Sequence, residues 1–372
     1  MRLAFAELRR SRARYLSIVA AIGFIVFLVL ILAGLADGLY YGATGAYRSG
    51  GADLYSFDED AQRSIVRSDL AADTVDEVRS VPGVSDAGPI GIQLGSTEID
   101  GEVVDVALMG VEPGRPGAPV NLDVYEATTN FPIAVADSSL ENRGLAIGDV
   151  VLLTGATTSL EIVGFVDDSS FLLAGTLWTT TDAWRSVRTE IVPEFGFLGD
   201  AIQAIAVSVE DGSDPASVAL QIDTATGTTE TVTTEAAISS LPGVEQQAAT
   251  FQAIIIASFL VVGIVTALFF ALITLEKRGL FAVLKAIGAT NWSLLQGLIV
   301  QGLIAAVGGF IVGLALSRII GLVIPAEVPL TFLAGTAFSL LLATIFMGAV
   351  GAGLSFRRVS KIDPATALGG GV

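Results

Sequence analysis

The strongest constraint on the fold is a set of four long stretches that contain no charged residue. They occupy residues 15–36, 253–275, 294–316 and 330–356. About 20 helical residues are needed to cross roughly 30 Å of hydrocarbon, so each stretch is long enough to span a bilayer with some tilt. The mean hydropathy of +0.70 is typical of a membrane protein. The pattern therefore predicts four transmembrane helices.

Eleven basic residues flank the predicted spans on one side. They precede the first span (Arg2, Arg9, Arg10, Arg12, Arg14), separate the second from the third (Lys277, Arg278, Lys285) and follow the fourth (Arg357, Arg358, Lys361). Lys and Arg are enriched in cytoplasmic loops, so both termini and this central loop are predicted to be cytoplasmic. The first span could instead be a signal peptide. Its apolar run is too long for one, and no A-x-A site follows, which favours an uncleaved anchor in the cell membrane.

These signals divide the chain into nine predicted segments. The cytoplasmic segments are 1–14, the loop 276–293 and the tail 357–372; the spans are 15–36, 251–275, 294–322 and 330–356; the extracytoplasmic segments are 37–250 and the short turn 323–329. The predicted fold class is thus an α-helical four-span domain with a large extracytoplasmic domain inserted between spans 1 and 2.

The charge of this large segment restricts its partners. Residues 37–250 contain 34 acidic residues, 8 arginines and no lysine. Such a surface repels phosphate, so a nucleic-acid partner is excluded. An acidic surface without lysine is typical of proteins that work at high salt concentration. A GC-rich coding bias, which replaces Lys by Arg, would also explain the absence of lysine.

The whole chain lacks Cys and His, which excludes Cys-His and Ser-His-Asp catalysis and ordinary zinc sites. We therefore expect a non-catalytic chain without cofactor or metal.

The pattern within 37–250 is mixed. Alternating apolar segments at 52–57 and 201–207 predict strands, and the periodicity of 69–81 predicts a helix. Segments 146–153 and 160–166 resemble a β-hairpin and indicate a β-rich insertion at about 110–199. We expect an α/β domain of two lobes.

Glycines recur at small-xxx-small spacing in two of the spans. Gly34 precedes Gly38 by four residues, and Gly309 precedes Gly313 by four. Small residues let helix backbones approach closely in lipid, so these four positions predict helix packing, either within the chain or across a dimer. No ionisable residue lies in the middle of a span, so the spans contain no side chains that could form a proton relay.

The central loop predicts a short amphipathic helix. Leu280, Leu284 and Ile287 recur at helical spacing, Gly288 can adopt the left-handed C-terminal conformation, and Thr290 or Asn291 can cap the next helix. Two interpretations stay open from periodicity alone. The helix is either an interfacial elbow in the headgroups or a docking element for a cytoplasmic partner.

The chain resembles the MacB/FtsX family of ABC permeases, especially its DevC-like branch. The resemblance rests on residues 274–313, on the tail 358–368, and on the order of one span, a large outer domain and three clustered spans. Fused members carry their own ATPase, whereas none of the three lysines here follows a glycine, so no Walker A sequence exists. The resemblance therefore implies that a separate cytoplasmic ABC ATPase binds the ATP. It also implies a homodimer or a pair with a related permease, allows for an extracytoplasmic adaptor protein, and places membrane lipid in contact with the spans.

The resemblance also implies which residues couple the two subunits. In this interpretation the face that contacts the ATPase consists of apolar and basic positions of the loop (Lys277, Arg278, Leu280, Phe281, Leu284, Lys285, Ile287). Closure of the ATPases would move this helix and, through the spans, the outer lobes. Three functions stay open: export or extraction of a hydrophobic or lipid-like substrate, FtsX-like signalling to an extracytoplasmic partner without transport, and membrane-anchored binding without an ATPase.

Overall fold

The computed structural model describes residues 12–276, 278–325 and 328–360. Of the predicted basic flanks, Arg2, Arg9, Arg10, Lys277 and Lys361 lie outside the described residues. The chain divides into a helical unit (Met1–Gly38 and Gln247–Val372) and an α/β domain (Leu39–Gln246).

In chain order, the first helix begins in the helical unit, the strands and short helices that follow form the α/β domain, and the last four helices belong mainly to the helical unit. The helices are α1 Arg12–Ser49, α2 Thr74–Arg79, α3 Ser138–Glu141, α4 Thr181–Ile191, α5 Pro215–Thr226, α6 Thr234–Ser239, α7 Val244–Glu276, α8 Arg278–Ala286, α9 Asn291–Gly321 and α10 Ala334–Ser360. The strands are β1 Leu54–Asp58, β2 Val84–Ile99, β3 Glu102–Val111, β4 Ile133–Asp137, β5 Val150–Leu152, β6 Ser159–Val166, β7 Gly175–Thr180, β8 Ala204–Val209 and β9 Thr229–Thr233.

Four helices in the described part of the chain are long and apolar enough to cross a membrane, namely α1, α7, α9 and α10. Two of them extend beyond their predicted spans. Helix α1 continues to Ser49, because Ala43, Ala46 and Tyr47 pack on the core of the α/β domain. Its 38 residues give a length of about 57 Å, well over the hydrocarbon thickness. Helix α7 likewise begins at Val244.

The α/β domain is built on one nine-stranded sheet with the order β5-β6-β4-β7-β3-β2-β8-β1-β9. The 16-residue strand β2 holds its two halves together. Its first half pairs antiparallel with β8 and its second half pairs antiparallel with β3. The two predicted lobes therefore share a sheet, and each has its own apolar cluster.

The half of the sheet that contains the predicted insertion curls back on itself. The Thr97 hydroxyl donates to the Leu152 carbonyl at 2.9 Å, and the Thr154 amide donates to the Ser96 carbonyl at 2.8 Å. These bonds join β5 to β2, although the two strands stand five places apart in the sheet order. The curled half encloses a core in which Trp184 is fully buried against Gly91 and Gly110.

Candidate coupling surface of the helical unit

Local signals position the short helix α8 between two long helices. Gly288 has φ +100°, a conformation that favours glycine, and the Ala289 amide donates to the Leu284 carbonyl at 2.9 Å. The Thr290 hydroxyl then accepts from the Ser293 amide at 3.2 Å and caps α9. The chain therefore ends one helix and starts the next within four residues.

Helix α8 has one packed side and one exposed side. Phe281 and Ala282 are buried in the apolar cluster of the helical unit, and Leu284 packs against that cluster. Leu280, Val283 and Ile287 point away from it. Their exposed fractions of 46%, 43% and 76% are high for aliphatic side chains.

The structure divides the predicted coupling residues into two groups. Leu280 and Ile287 lie on the exposed side, whereas Phe281 and Leu284 anchor the helix to its own unit. Lys285 is half-buried, and Lys277 lies outside the described residues, as does the Arg278 side chain. Contact of any of these residues with an ATPase stays a prediction.

Sequence reasoning missed two exposed apolar residues of this surface. Val283 lies three residues after Leu280 and shares its face, and Trp292, which is 64% exposed, follows the Thr290 cap. We name the set Leu280, Val283, Ile287 and Trp292 the coupling surface. The i, i+3, i+7 spacing of its three helical members was the available signal.

The four predicted packing glycines all lie in close contacts within the helical unit. A Cβ atom on Gly309 would stand 2.5 Å from the Ile22 Cγ2, and one on Gly313 would stand 2.8 Å from the Gly23 carbonyl oxygen, so α9 packs backbone to backbone on α1. Gly34 and Gly38 instead face the turn before α10, at Leu330, Phe332 and the Pro329 carbonyl. Gly23, which the sequence analysis did not single out, completes the contact with α9.

The interior of the helical unit offers little polarity. The Tyr15 hydroxyl donates to the Gln301 Oε1 at 2.5 Å and joins α1 to α9. In the described residues, Asp37 directly follows the first predicted span, and Arg318 lies near the end of the third, where its guanidinium stands 5.0 Å from the centre of the Phe332 ring. The arrangement provides no line of charged groups along the described spans.

A groove of about 390 Å³ lies between α7 and α10. Its walls are apolar throughout (Leu260, Gly263, Ile264, Ala267, Leu268, Ala271, Met347, Val350, Leu354). Pockets of this size hold small ligands when the lining suits them. This lining suits hydrocarbon and contains no side chain that could bind a charged group.

The α/β domain contains two carboxylates with unusually complete sets of donors. Buried Asp137 accepts from the amides of Ser139 and Ser169 and from the Ser169 and Ser170 hydroxyls. Glu161 accepts from the amides and hydroxyls of Thr128 and Thr129. The hydrogen bond from the Thr128 hydroxyl is the main reason that the pKa of Glu161 is lowered to about 2. Both carboxylates tie down loops, and their donors leave no room for catalytic work.

Comparisons with known proteins agree with this architecture. The model of the FtsX-like permease C-terminal family matches residues 253–364. An uncharacterized ABC transporter permease of Mycobacterium tuberculosis is 30% identical over 376 residues, covering 98% of this chain and 99% of the relative. A putative hemin transport system permease protein, HrtB, of Staphylococcus haemolyticus is 23% identical over 375 residues, covering 100% and 99%.

Two solved structures show a weaker similarity. The periplasmic region of MacB from Actinobacillus actinomycetemcomitans has a TM-score of 0.36 and 14% identity, covering 51% of this chain and 92% of that one. The extracellular domain of the ABC-type transporter YknZ from Gram-positive bacteria has a TM-score of 0.32 and 14% identity, covering 49% and 98%.

Proposed function

Because this chain belongs to the ABC transporter permeases and is a multi-pass protein of the cell membrane, we propose that it is the non-catalytic membrane half of an exporter driven by a separate ATPase. The α/β domain would lie outside the cell and both termini inside, as the basic flanks predict. Two permease chains, identical or related, would pair with two ATPase subunits.

The observation that carries the proposal is the coupling surface. Leu280 and Val283 of α8, Ile287 directly after it and the Trp292 ring are exposed, while the opposite side of the same helix is anchored by Phe281 and Ala282. A helix that only lies in the lipid headgroups needs an apolar face, but it does not need to pack on the core of its own unit. A docking element needs both, because a partner can move the helical unit only through a rigid attachment.

The proposed substrate is hydrophobic or lipid-like. No line of charged side chains runs along the described parts of the spans, and the groove between α7 and α10 is lined by apolar side chains alone. Among the relatives, HrtB is named as a putative hemin transport permease. Hemin, a largely apolar macrocycle, is therefore the first compound to test.

The coupling proposal is tested by replacing Ile287, because its side chain is exposed and contributes little to folding. We expect Ile287→Asp to abolish recovery of an ABC ATPase with the tagged chain in mild detergent, since a charge would have to be buried in the contact. Leu220→Asp is the matched control, because Leu220 is 69% exposed on α5 of the α/β domain. Equal recovery of the ATPase with both variants would refute the assigned surface. Leu284→Asp is a poorer choice, since Leu284 packs on the core and its loss could unfold the unit.

The substrate proposal is tested separately with the permease and its ATPase in nanodiscs. We expect ATP hydrolysis to be stimulated by hemin or another amphiphile in the wild-type complex. The response should fall in Ala267→Leu, because the longer side chain extends into the groove that Ala267 lines. Stimulation that is unchanged in Ala267→Leu would exclude the groove as the substrate site.

Signalling without transport is the second candidate function, because the absence of a polar path along the spans is equally compatible with it. The two functions differ in cargo. A complex whose ATPase responds to no amphiphile, but whose α/β domain changes its protease sensitivity on addition of ATP, would be a signal transmitter.

A further inference from the structure

An exposed apolar patch lies where the curled half of the sheet closes. Leu94 and Val103 are 40% and 77% exposed, and Val150 and Leu152 are 45% and 46% exposed. They belong to β2, β3 and β5, which are neighbours because β3 pairs with β2 and β5 is bonded to β2. Exposed aliphatic side chains that gather on neighbouring strands commonly mark contact sites.

Strand periodicity places all four side chains on one face. Val104, Val106 and Val151 alternate with the patch residues and are buried in the core of the curled half. Since successive side chains of a strand point to opposite faces, Val103, Val150 and Leu152 point away from that core. Leu94 also points away from that core, because the neighbouring Gln93 side chain is buried.

The patch is bordered by acids that stand on the same face. Glu98 lies directly opposite Val103 in the β2–β3 register, and Asp105 lies opposite Ser96. Both acids are exposed. Along β3 the apolar Val103 and the acidic Asp105 therefore alternate on this face, with Glu98 beside Val103.

We propose that this face binds a protein partner whose contact surface combines aliphatic side chains with lysine or arginine. A second copy of the same domain is disfavoured, because residues 37–250 contain 34 acids and only 8 arginines and would repel each other. Anionic headgroups are disfavoured for the same reason. The proposal does not depend on coupling to an ATPase.

The partner docks on the face of the sheet and does not extend its edge. On β5 the Leu152 carbonyl already accepts from Thr97, and the following Thr154 amide donates to Ser96. Strand addition at β5 would have to break these bonds. The patch is consequently a surface that recognises side chains.

A synthetic peptide tests the proposal on the full chain in phosphatidylcholine nanodiscs. The probe repeats Val-Ser-Lys-Ser, so that Val and Lys lie on one face of an extended strand and match the alternation of the patch. Binding is measured by fluorescence anisotropy at about 50 mM salt, where surface charges are only partly screened. Two control peptides replace Val by Ser or Lys by Glu.

We expect the probe to bind at least about tenfold more tightly than either control peptide, because apolar burial and charge pairing both contribute. Val103→Ser with Leu152→Ser should weaken binding about tenfold. The matched double variant Val66→Ser with Leu220→Ser removes equally exposed side chains elsewhere and should leave binding unchanged. Glu98→Gln with Asp105→Asn should reduce the salt dependence of binding.

Three results would overturn the proposal. The first is equal binding of the Val-containing and Ser-containing basic peptides, which needs no variant and so does not depend on folding. The second is equal loss of affinity in the patch and control variants. The third is conversion of a dimer to a monomer by the patch variant in light scattering, which would make the face a contact between copies of this chain.

Discussion

The contact of α9 with α1 makes a quantitative prediction for Gly309→Ala. A Cβ atom at position 309 would stand 2.5 Å from the Ile22 Cγ2, 2.8 Å from the Ile22 Cβ and 3.2 Å from the Gly23 amide nitrogen. Ile22 is fully buried and two of these atoms cannot rotate away. The two helices would therefore have to separate by roughly 1 Å to restore van der Waals contact.

Overpacking of this kind typically costs about 1–3 kcal/mol. Replacing a helical glycine by alanine contributes up to about 1 kcal/mol in the opposite direction. We expect Gly309→Ala to lower the free energy of unfolding by about 1–2 kcal/mol, measured by SDS titration of the chain in mixed micelles. The matched control is Gly297→Ala in the same helix, where nothing stands within 4 Å of the new methyl group. It should be neutral or slightly stabilising.

A double-mutant cycle with Ile22→Ala separates strain from loss of packing. Ile22→Ala alone should cost about 2–5 kcal/mol, as for other buried aliphatic residues. Its cost should be smaller in the Gly309→Ala background, because the shorter side chain relieves the clash. The reasoning is refuted if Gly309→Ala and Gly297→Ala are equally stable, or if the two substitutions at the α1–α9 contact are additive.

Two further predictions concern the carboxylates of the α/β domain. Hydrogen bonds from Thr128 and Thr129 lower the pKa of Glu161 from 4.5 to about 2. The contribution of Glu161 to stability is therefore complete above pH 4.5 and is lost as the pH falls towards 2. The rate of amide hydrogen exchange in the loop around Thr128 should rise across this pH window, and Thr128→Val should move that rise to higher pH. Asp137→Asn should cost about 1–3 kcal/mol in thermal unfolding, because the NH2 group that replaces one carboxylate oxygen cannot accept the hydrogen bonds now made to that buried oxygen. Asp182→Asn, at a side chain that is 96% exposed, should leave the melting temperature unchanged.

Local features of the sequence were sufficient to predict the helical framework. The uncharged runs correspond to α1, α7, α9 and α10, because span length is fixed by bilayer thickness and needs no tertiary information. Gly288 and Thr290 predicted the end of α8 and the start of α9 for a similar reason, since caps depend on neighbouring residues only.

The orientation of α8 could not be predicted in the same way. Phe281 and Val283 are both apolar, and periodicity gives the helix two apolar sides without saying which of them packs. The choice is made by Phe270, Leu294 and other residues that are remote in sequence or follow the next turn. The sequence therefore suggested Phe281 as a contact residue, whereas the structure buries it and exposes Val283.

Long-range pairing explains the difference between two predicted lobes and one observed sheet. The strands at 52–57 and 146–166 were recognised from alternation, but alternation does not specify a partner. The 16-residue strand β2, which serves both halves, was not among the predicted strands. Gly34 and Gly38 show the same limitation, since small-xxx-small spacing indicates close approach but does not distinguish a helix from the turn at Pro329 that they contact.

The continuity of α1 bears directly on the proposed mechanism. The apolar run ends at residue 36, yet the helix continues without interruption to Ser49, and Ala43, Ala46 and Tyr47 lie in the core of the α/β domain. A helix breaks or bends where its hydrogen-bond ladder is interrupted, and the described α1 contains no proline and no residue with positive φ. Helix α1 is therefore continuous from its contact with Gly309 and Gly313 to Tyr47. The proposed mechanical coupling requires this continuity of α1, whereas a simple membrane anchor does not.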